Sequence, residues 1–122
     1  MISRVTRSVL VVDDDPAFRE LAGRLVTAVG LKVVGEAGSA AMAMTSARAM
    51  KPDAALVDVD LPDQDGIALA QELTALSWRP CVVLTSVDAE AATPDDVRRS
   101  GARAFVHKAD LPDGLVRLLA AE

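Results

Sequence analysis

The sequence predicts an α/β domain in which five strands alternate with five helices, forming a parallel sheet of order 2-1-3-4-5 with helices on both faces. Three observations lead there. Apolar runs at residues 9–12, 54–57 and 81–84 have strand length and no polar alternation, as strands buried on both faces do. The stretches between them carry apolar residues at helical spacing. Each run is also cut off by an acid or a hydroxyl followed by turn formers, so polar chemistry collects at one end of each strand.

The first strand, 9–12, ends at Asp13-Asp14-Asp15-Pro16. Phe18, Leu21, Ala22, Leu25, Val26 and Val29 then recur as one face of a helix, with Pro16 suited to its first turn and Gly30 closing it. Residues 32–37 mix Val33 and Val34 with Lys32, Gly35 and Glu36, which suits an edge strand. Ser39 caps a helix rich in alanine and methionine that runs to about Met50. The third strand, 54–58, ends on Asp58 before a Pro/Gly loop, and Asp65 caps a helix that turns Ile67, Leu69, Leu73 and Leu76 inward. The fourth strand begins at Cys81 and ends at Thr85-Ser86. Thr93-Pro94-Asp95-Asp96 is a helix start with a capping hydroxyl, Pro at the first position and acids in the first turn; Gly101 ends that helix early. Residues 103–107 form the fifth strand, stopping at Lys108, and a last helix from Asp110 or Leu111 carries Leu115, Val116, Leu118 and Leu119. Strands 2 and 5 are the polar ones, as edge positions require.

In a parallel sheet the carboxyl ends of the strands share one edge. Asp13 and Asp14 follow strand 1, Asp58 ends strand 3, Thr85 follows the apolar run of strand 4 and Lys108 follows strand 5. Crowded carboxylates repel unless a cation sits among them, and Mg2+ fits carboxylates plus a backbone carbonyl, for which Asp60 is placed. A phosphoryl group brought there lies within reach of Asp58 as attacking carboxylate. Transfer then needs charge neutralisation, which a metal and Lys108 provide, while Thr85 can donate to a phosphoryl oxygen.

Read alone, each residue has a plainer role. Asp13 to Asp15 would cap a helix, Thr85 suits a strand end, Lys108 a solvated surface, and Phe105 ordinary core. Asp15 is read as a cap only. Cys81 is expected to be a small buried hydrophobe, Trp78 a half-buried surface residue, and His107 is given no role.

The segments Val-Leu-Val-Val-Asp-Asp-Asp-Pro, Leu-Val-Asp-Val-Asp-Leu-Pro-Asp-Gln-Asp-Gly, Val-Val-Leu-Thr-Ser and Gly-Ala-Arg-Ala-Phe-Val-His-Lys-Ala-Asp-Leu resemble the receiver domain of bacterial two-component response regulators, over about residues 8–120. The Lys-Ala-Asp-Leu ending is similar to receivers that precede helix-turn-helix output domains. The resemblance implies a flavodoxin-like (βα)5 three-layer sandwich and a single receiver domain spanning 1–122. It puts the phosphorylated aspartate on Asp58, the acidic metal pair on Asp13 and Asp14, the switch hydroxyl on Thr85, the lysine on Lys108 and the switch aromatic on Phe105, here Phe rather than Tyr. It also implies a sensor histidine kinase as partner, signalling through the face of helix 4, strand 5 and helix 5, and regulation of transcription through an output domain. Homodimerisation on phosphorylation is held as a hypothesis.

A net charge of −5 and a pI near 4.8 argue against direct binding of nucleic acid by this segment. Cys81 as sole cysteine excludes an internal disulfide. No signal peptide is evident and no run approaches the ~20 apolar residues of a membrane span, so a cytoplasmic domain is expected. Two other functions compete. Asp58-Val59-Asp60 superficially fits the Asp-x-Asp start of haloacid-dehalogenase-type phosphatases, but on the third strand rather than the first. A phosphorylation-independent docking module with the receiver fold is the nearer alternative. A signalling domain rather than a turnover enzyme is the leading reading.

Overall fold

The computed structural model describes residues 7–111. Its elements run β1 (Ser8–Val12), α1 (Pro16–Ala28), β2 (Lys32–Ala37), α2 (Ala40–Met50), β3 (Ala54–Asp58), α3 (Gly66–Thr74), β4 (Cys81–Ser86), α4 (Pro94–Ser100) and β5 (Ala104–His107). A 3-10 turn, Lys108–Asp110, follows. The expected fifth helix, with Leu115, Val116, Leu118 and Leu119, lies outside the described residues.

The strands form one parallel sheet in the expected order β2-β1-β3-β4-β5. Alternation sends Leu10, Val12, Val57 and Leu84 to one face, where they pack with α2 and α3, and Val9, Val11, Leu56 and Val83 to the other, against α1. Every residue of β3 is buried, and the all-apolar runs are explained by that double coverage. β2 carries its polar residues at the edge, and its register with β1 slips between Val9 and Leu10, where Val33 and then Gly35 are the partners.

The caps are those the sequence signals. Asp15 accepts from the Ala17 N–H, Ser39 from Met42, Asp65 from Ile67, and Thr93 with Asp96 forms a full capping box. α2 has a second cap that the sequence did not reveal. Asp63, in the β3–α3 loop, accepts from the backbone N–H groups of Ala40 at 2.9 Å and Ala41 at 3.0 Å, which holds its carboxyl below the usual range. The loop beyond Asp58 is thereby pinned to a helix end, and that contribution is present above the unfolded carboxylate pKa and fades as pH falls below it. Asp63→Ala is expected to lower the thermal midpoint at neutral pH by about 4 °C, with the difference closing in acid. An unchanged midpoint would mean that Ser39 caps α2 sufficiently alone.

The start of α3 lies against the end of β3. A Cβ at Gly66 would stand 2.1 Å from the Asp58 carbonyl oxygen and 2.8 Å from the Val59 Cα, so only glycine allows this approach.

Candidate functional site

β1 and β3 are neighbours in register from Val9↔Ala54 to Val12↔Val57, so Asp13 and Asp58 emerge side by side at the carboxyl edge. β3 pairs with β4 to Asp58↔Thr85, and β4 with β5 to Ser86↔His107, one residue short of Lys108. The sheet thus brings together the five side chains expected there. Asp13 is fully buried and Asp58 is 5% exposed, while Asp14 stands in solvent.

Carboxylate oxygens of Asp13, Asp14 and Asp58 lie within 4.8 Å of one another. Lys108 Nζ contacts Asp13 Oδ2 at 2.7 Å and Asp58 Oδ2 at 3.8 Å. Asp13 Oδ1 accepts from the Asp15 N–H at 2.9 Å, and Asp58 Oδ1 from the Asp60 N–H at 3.1 Å. Burial is the main influence on Asp58 and raises its carboxyl from 3.8 to about 6; Asp13's charge adds to the rise, and the Asp60 N–H and Lys108 oppose it. Negative charge therefore outweighs what one lysine compensates. A donor set made only of oxygens, partly open to water, suits a hard divalent cation, and this acidic triad is of the kind typical of Mg2+ sites.

Thr85 is fully buried and its hydroxyl has no hydrogen-bond partner among the described residues. A buried hydroxyl without a partner costs about 1–3 kcal/mol, and none of the described residues offsets that cost here. Thr85→Val, nearly isosteric, is expected to raise the unfolding free energy by about 1 kcal/mol in urea denaturation. A loss of stability would show that the hydroxyl has a native partner. Phe105 is half-buried and packs against the α2/α3 face of the core.

Several contacts around the site were not expected. The Arg19 guanidinium donates to the Asp13 carbonyl at 2.7 Å and to Glu36 at 3.1 Å, fixing the turn after β1. Lys108 Nζ stands 3.9 Å from the centroid of the Phe18 ring, which aims it across the sheet edge. Ser86 donates to Asp60 Oδ2 at 3.1 Å, tying the loops after β3 and β4 together. His107 also has work, its Nε2 lying 2.8 Å from the Val87 carbonyl oxygen. Ser86 beside Thr85 and Arg19 one turn after the acidic run were the only hints in the sequence.

This fold and edge define a receiver, and the chain belongs to that family: the profile of the response regulator receiver domain matches residues 9–120. Over 104 residues the chain is 34% identical to the transcriptional regulatory protein PdtaR of Mycobacterium tuberculosis, covering 85% of this chain and 50% of that protein. It is 42% identical over 104 residues to the DNA-binding transcriptional activator DevR/DosR of the same organism, covering 82% and 46%. A LuxR-family two-component response regulator from Aurantimonas sp. SI85-9A1 superposes with a TM-score of 0.84 at 28% identity, over 96% of this chain and 84% of that one. The chain spans about half the length of those two curated relatives. It is a signalling module of the two-component type, with transcription regulators among its homologues. Among the described residues no helix is long and apolar enough to cross a membrane.

Proposed function

We propose that this domain, reading residues 1–122 as a single receiver, accepts a phosphoryl group on Asp58 from a sensor histidine kinase in the cytoplasm. The convergence of Asp13, Asp14 and Asp58 within 4.8 Å, with Lys108 bridging Asp13 and Asp58, carries the reading. An Asp58 carboxylate oxygen attacks the phosphorus of a phosphohistidine; the O–P bond forms as the P–N bond breaks, leaving an acyl phosphate and the free imidazole. Lys108, already at the Asp58 carboxylate, balances charge on the incoming oxygens. The Thr85 hydroxyl, paired in register beside Asp58 and without a hydrogen-bond partner among the described residues, is the donor the phosphoryl group would recruit. Mg2+ is the cofactor, held by the carboxylates of Asp13, Asp14 and Asp58 and the Asp60 carbonyl. When bound, it supplies positive charge to the transferring group without proton bookkeeping.

The switch proposed with it is a move of Thr85 toward that group and a rearrangement of Phe105, changing the face made by α4, β5 and the expected fifth helix. Output through a DNA-binding domain is the downstream role proposed here; the relative DevR/DosR is a DNA-binding transcriptional activator. Homodimerisation on phosphorylation belongs to the same proposal.

The test is intact mass after incubation with acetyl phosphate. A gain of one phosphoryl group with Mg2+ present, absent with a chelator and lost on hydroxylamine treatment, supports an acyl phosphate. No gain under any condition would sink the proposal and favour a phosphorylation-independent docking module.

A further inference from the structure

The opposite edge of the sheet, where the strands begin, holds a cavity of about 840 Å³ lined by Arg7, Lys51, Arg79 and Arg103 around Trp78 and Cys81. We propose that this cavity binds a nucleotide, a small phosphorylated molecule with a planar ring, with Lys51, Arg79 and Arg103 meeting its phosphates and Trp78 its ring. Four of the chain's 13 basic residues face one concavity in a protein of net charge −5. Among the described residues, several cations away from it are answered locally, as Arg24 is by Glu20 and Arg98 and Arg99 are by Asp95 and Asp96, and Arg7 in the cavity wall has a partner of its own. Among the described residues no carboxylate lies within ion-pairing distance of Lys51, Arg79 or Arg103, although Asp53 lines the same cavity. Asp53 is turned to β1 instead, accepting from the Ser8 N–H at 3.0 Å and the Ser8 hydroxyl at 3.3 Å.

The backbone adds a separate observation. Lys51 at φ 47° and Arg79 at φ 46° are the only non-glycine residues with positive φ among those described, and both line this cavity. Glycine is the easy occupant of such positions, and a lysine and an arginine stand there instead, Lys51 as the left-handed C-cap of α2. A plain surface of solvated cations would also lack the second half of the wall. Trp78 is anchored at one end, its Nε1–H donating to the Pro52 carbonyl at 2.9 Å, with Lys51 Nζ 5.9 Å from the ring centroid. Arg103 Nε lies 3.1 Å from Cys81 Sγ, so its guanidinium is set at the cavity wall. The volume falls in the range of sites for drug-sized ligands, beyond what a bare phosphate fills. Arginine forks match phosphate oxygens in pairs, and an indole offers a base a stacking face.

Trp78 is the only tryptophan and the chain has no tyrosine, so its emission reads the cavity directly. The whole chain is titrated with adenosine triphosphate and with tripolyphosphate at matched ionic strength. A chelator is present, so that the acidic edge takes no part, and the indole is excited at the red edge of its absorption. A saturable change with a dissociation constant below about 1 mM is expected for the nucleotide, and binding at least about tenfold weaker for tripolyphosphate. Arg79→Gly removes the guanidinium yet suits φ 46°, so it should fold and bind about tenfold more weakly, as should Arg103→Ala; Arg79→Lys should retain most of the affinity. A change that never saturates, or variants that bind like the wild type, would overturn the proposal. Tripolyphosphate binding as tightly as the nucleotide would overturn it too, because the ring would then contribute nothing.

Discussion

Asp58→Asn is expected to abolish Mg2+-dependent phosphorylation and, at the same time, to make the protein more stable. The first effect follows because an amide oxygen is a poor nucleophile and cannot become an acyl phosphate. The second follows from the Asp58 carboxyl being raised from 3.8 to about 6 in the fold. A raised carboxyl pKa means that the folded protein favours the neutral form. The associated stability is fully present below the unfolded pKa near 3.8 and is lost as pH rises through about 6. At neutral pH the wild type therefore holds an ionised group that its fold resists, mainly through burial and secondarily through Asp13. Asparagine removes that charge, retains an oxygen for the Asp60 N–H and leaves Lys108 its 2.7 Å contact with Asp13. A gain of about 1 kcal/mol above pH 6 is expected, less than the full shift would give because water reaches the mouth of the site. Wild type and variant should converge near pH 4. Urea denaturation across that range decides it, since Asp63 and Asp96, whose carboxyls are held low, act equally in both proteins. A gap that does not change with pH would show that Asp58 is not a strained carboxylate. Phosphorylation surviving in the variant would place the acceptor elsewhere.

That opposition between stability and chemistry also explains what the sequence could and could not disclose. Asp13, Asp58, Thr85 and Lys108 were legible because each interrupts or follows a strand, and parallel topology alone gathers such ends on one edge. The short α4, with its Thr93 start and Gly101 stop, was legible for similar reasons, since capping chemistry is local. Contacts decided by loop shape were not. Asp63 reaches α2 across 23 residues of chain, and Phe18 becomes the platform under Lys108 only once α1 is laid against the sheet. Cys81, expected as buried filling, stands half-buried because β4 begins there, at the outer rim of its apolar run. The acidic net charge concealed most. Arg7, Lys51, Arg79 and Arg103 are scattered along a chain whose total charge argues against nucleic-acid binding, yet the fold collects them in one cavity. Net charge speaks for a whole surface, not for one site on it.

Lys108→Ala should separate the two cations that the acidic edge accommodates, the lysine and the metal. Without Mg2+ the variant leaves the fully buried Asp13 carboxylate facing Asp58 with no ammonium between them. Removing one partner of a buried pair is costly because the other charge stays behind, and a loss of about 3 kcal/mol is expected in chelator. Adding Mg2+ should return most of that loss and stabilise the variant more than the wild type, in which Lys108 already neutralises Asp13 and repels an incoming cation. Phosphorylation should not be rescued in step. The metal answers the resting negative charge, whereas the lysine stands at the Asp58 oxygen where transferring charge arrives, 3.8 Å away in this structure. Removing one such electrostatic contact typically slows reaction by about 100-fold, and that is the fall expected in the rate of mass gain from acetyl phosphate at saturating Mg2+. Thermal unfolding with and without Mg2+, run beside the phosphorylation time course, distinguishes the contributions. If Mg2+ stabilises the variant no more than the wild type, the lysine and the metal do not share the same carboxylates. If the rate recovers along with the stability, Lys108 is a structural counter-ion and the charge balancing assigned to it during transfer is wrong.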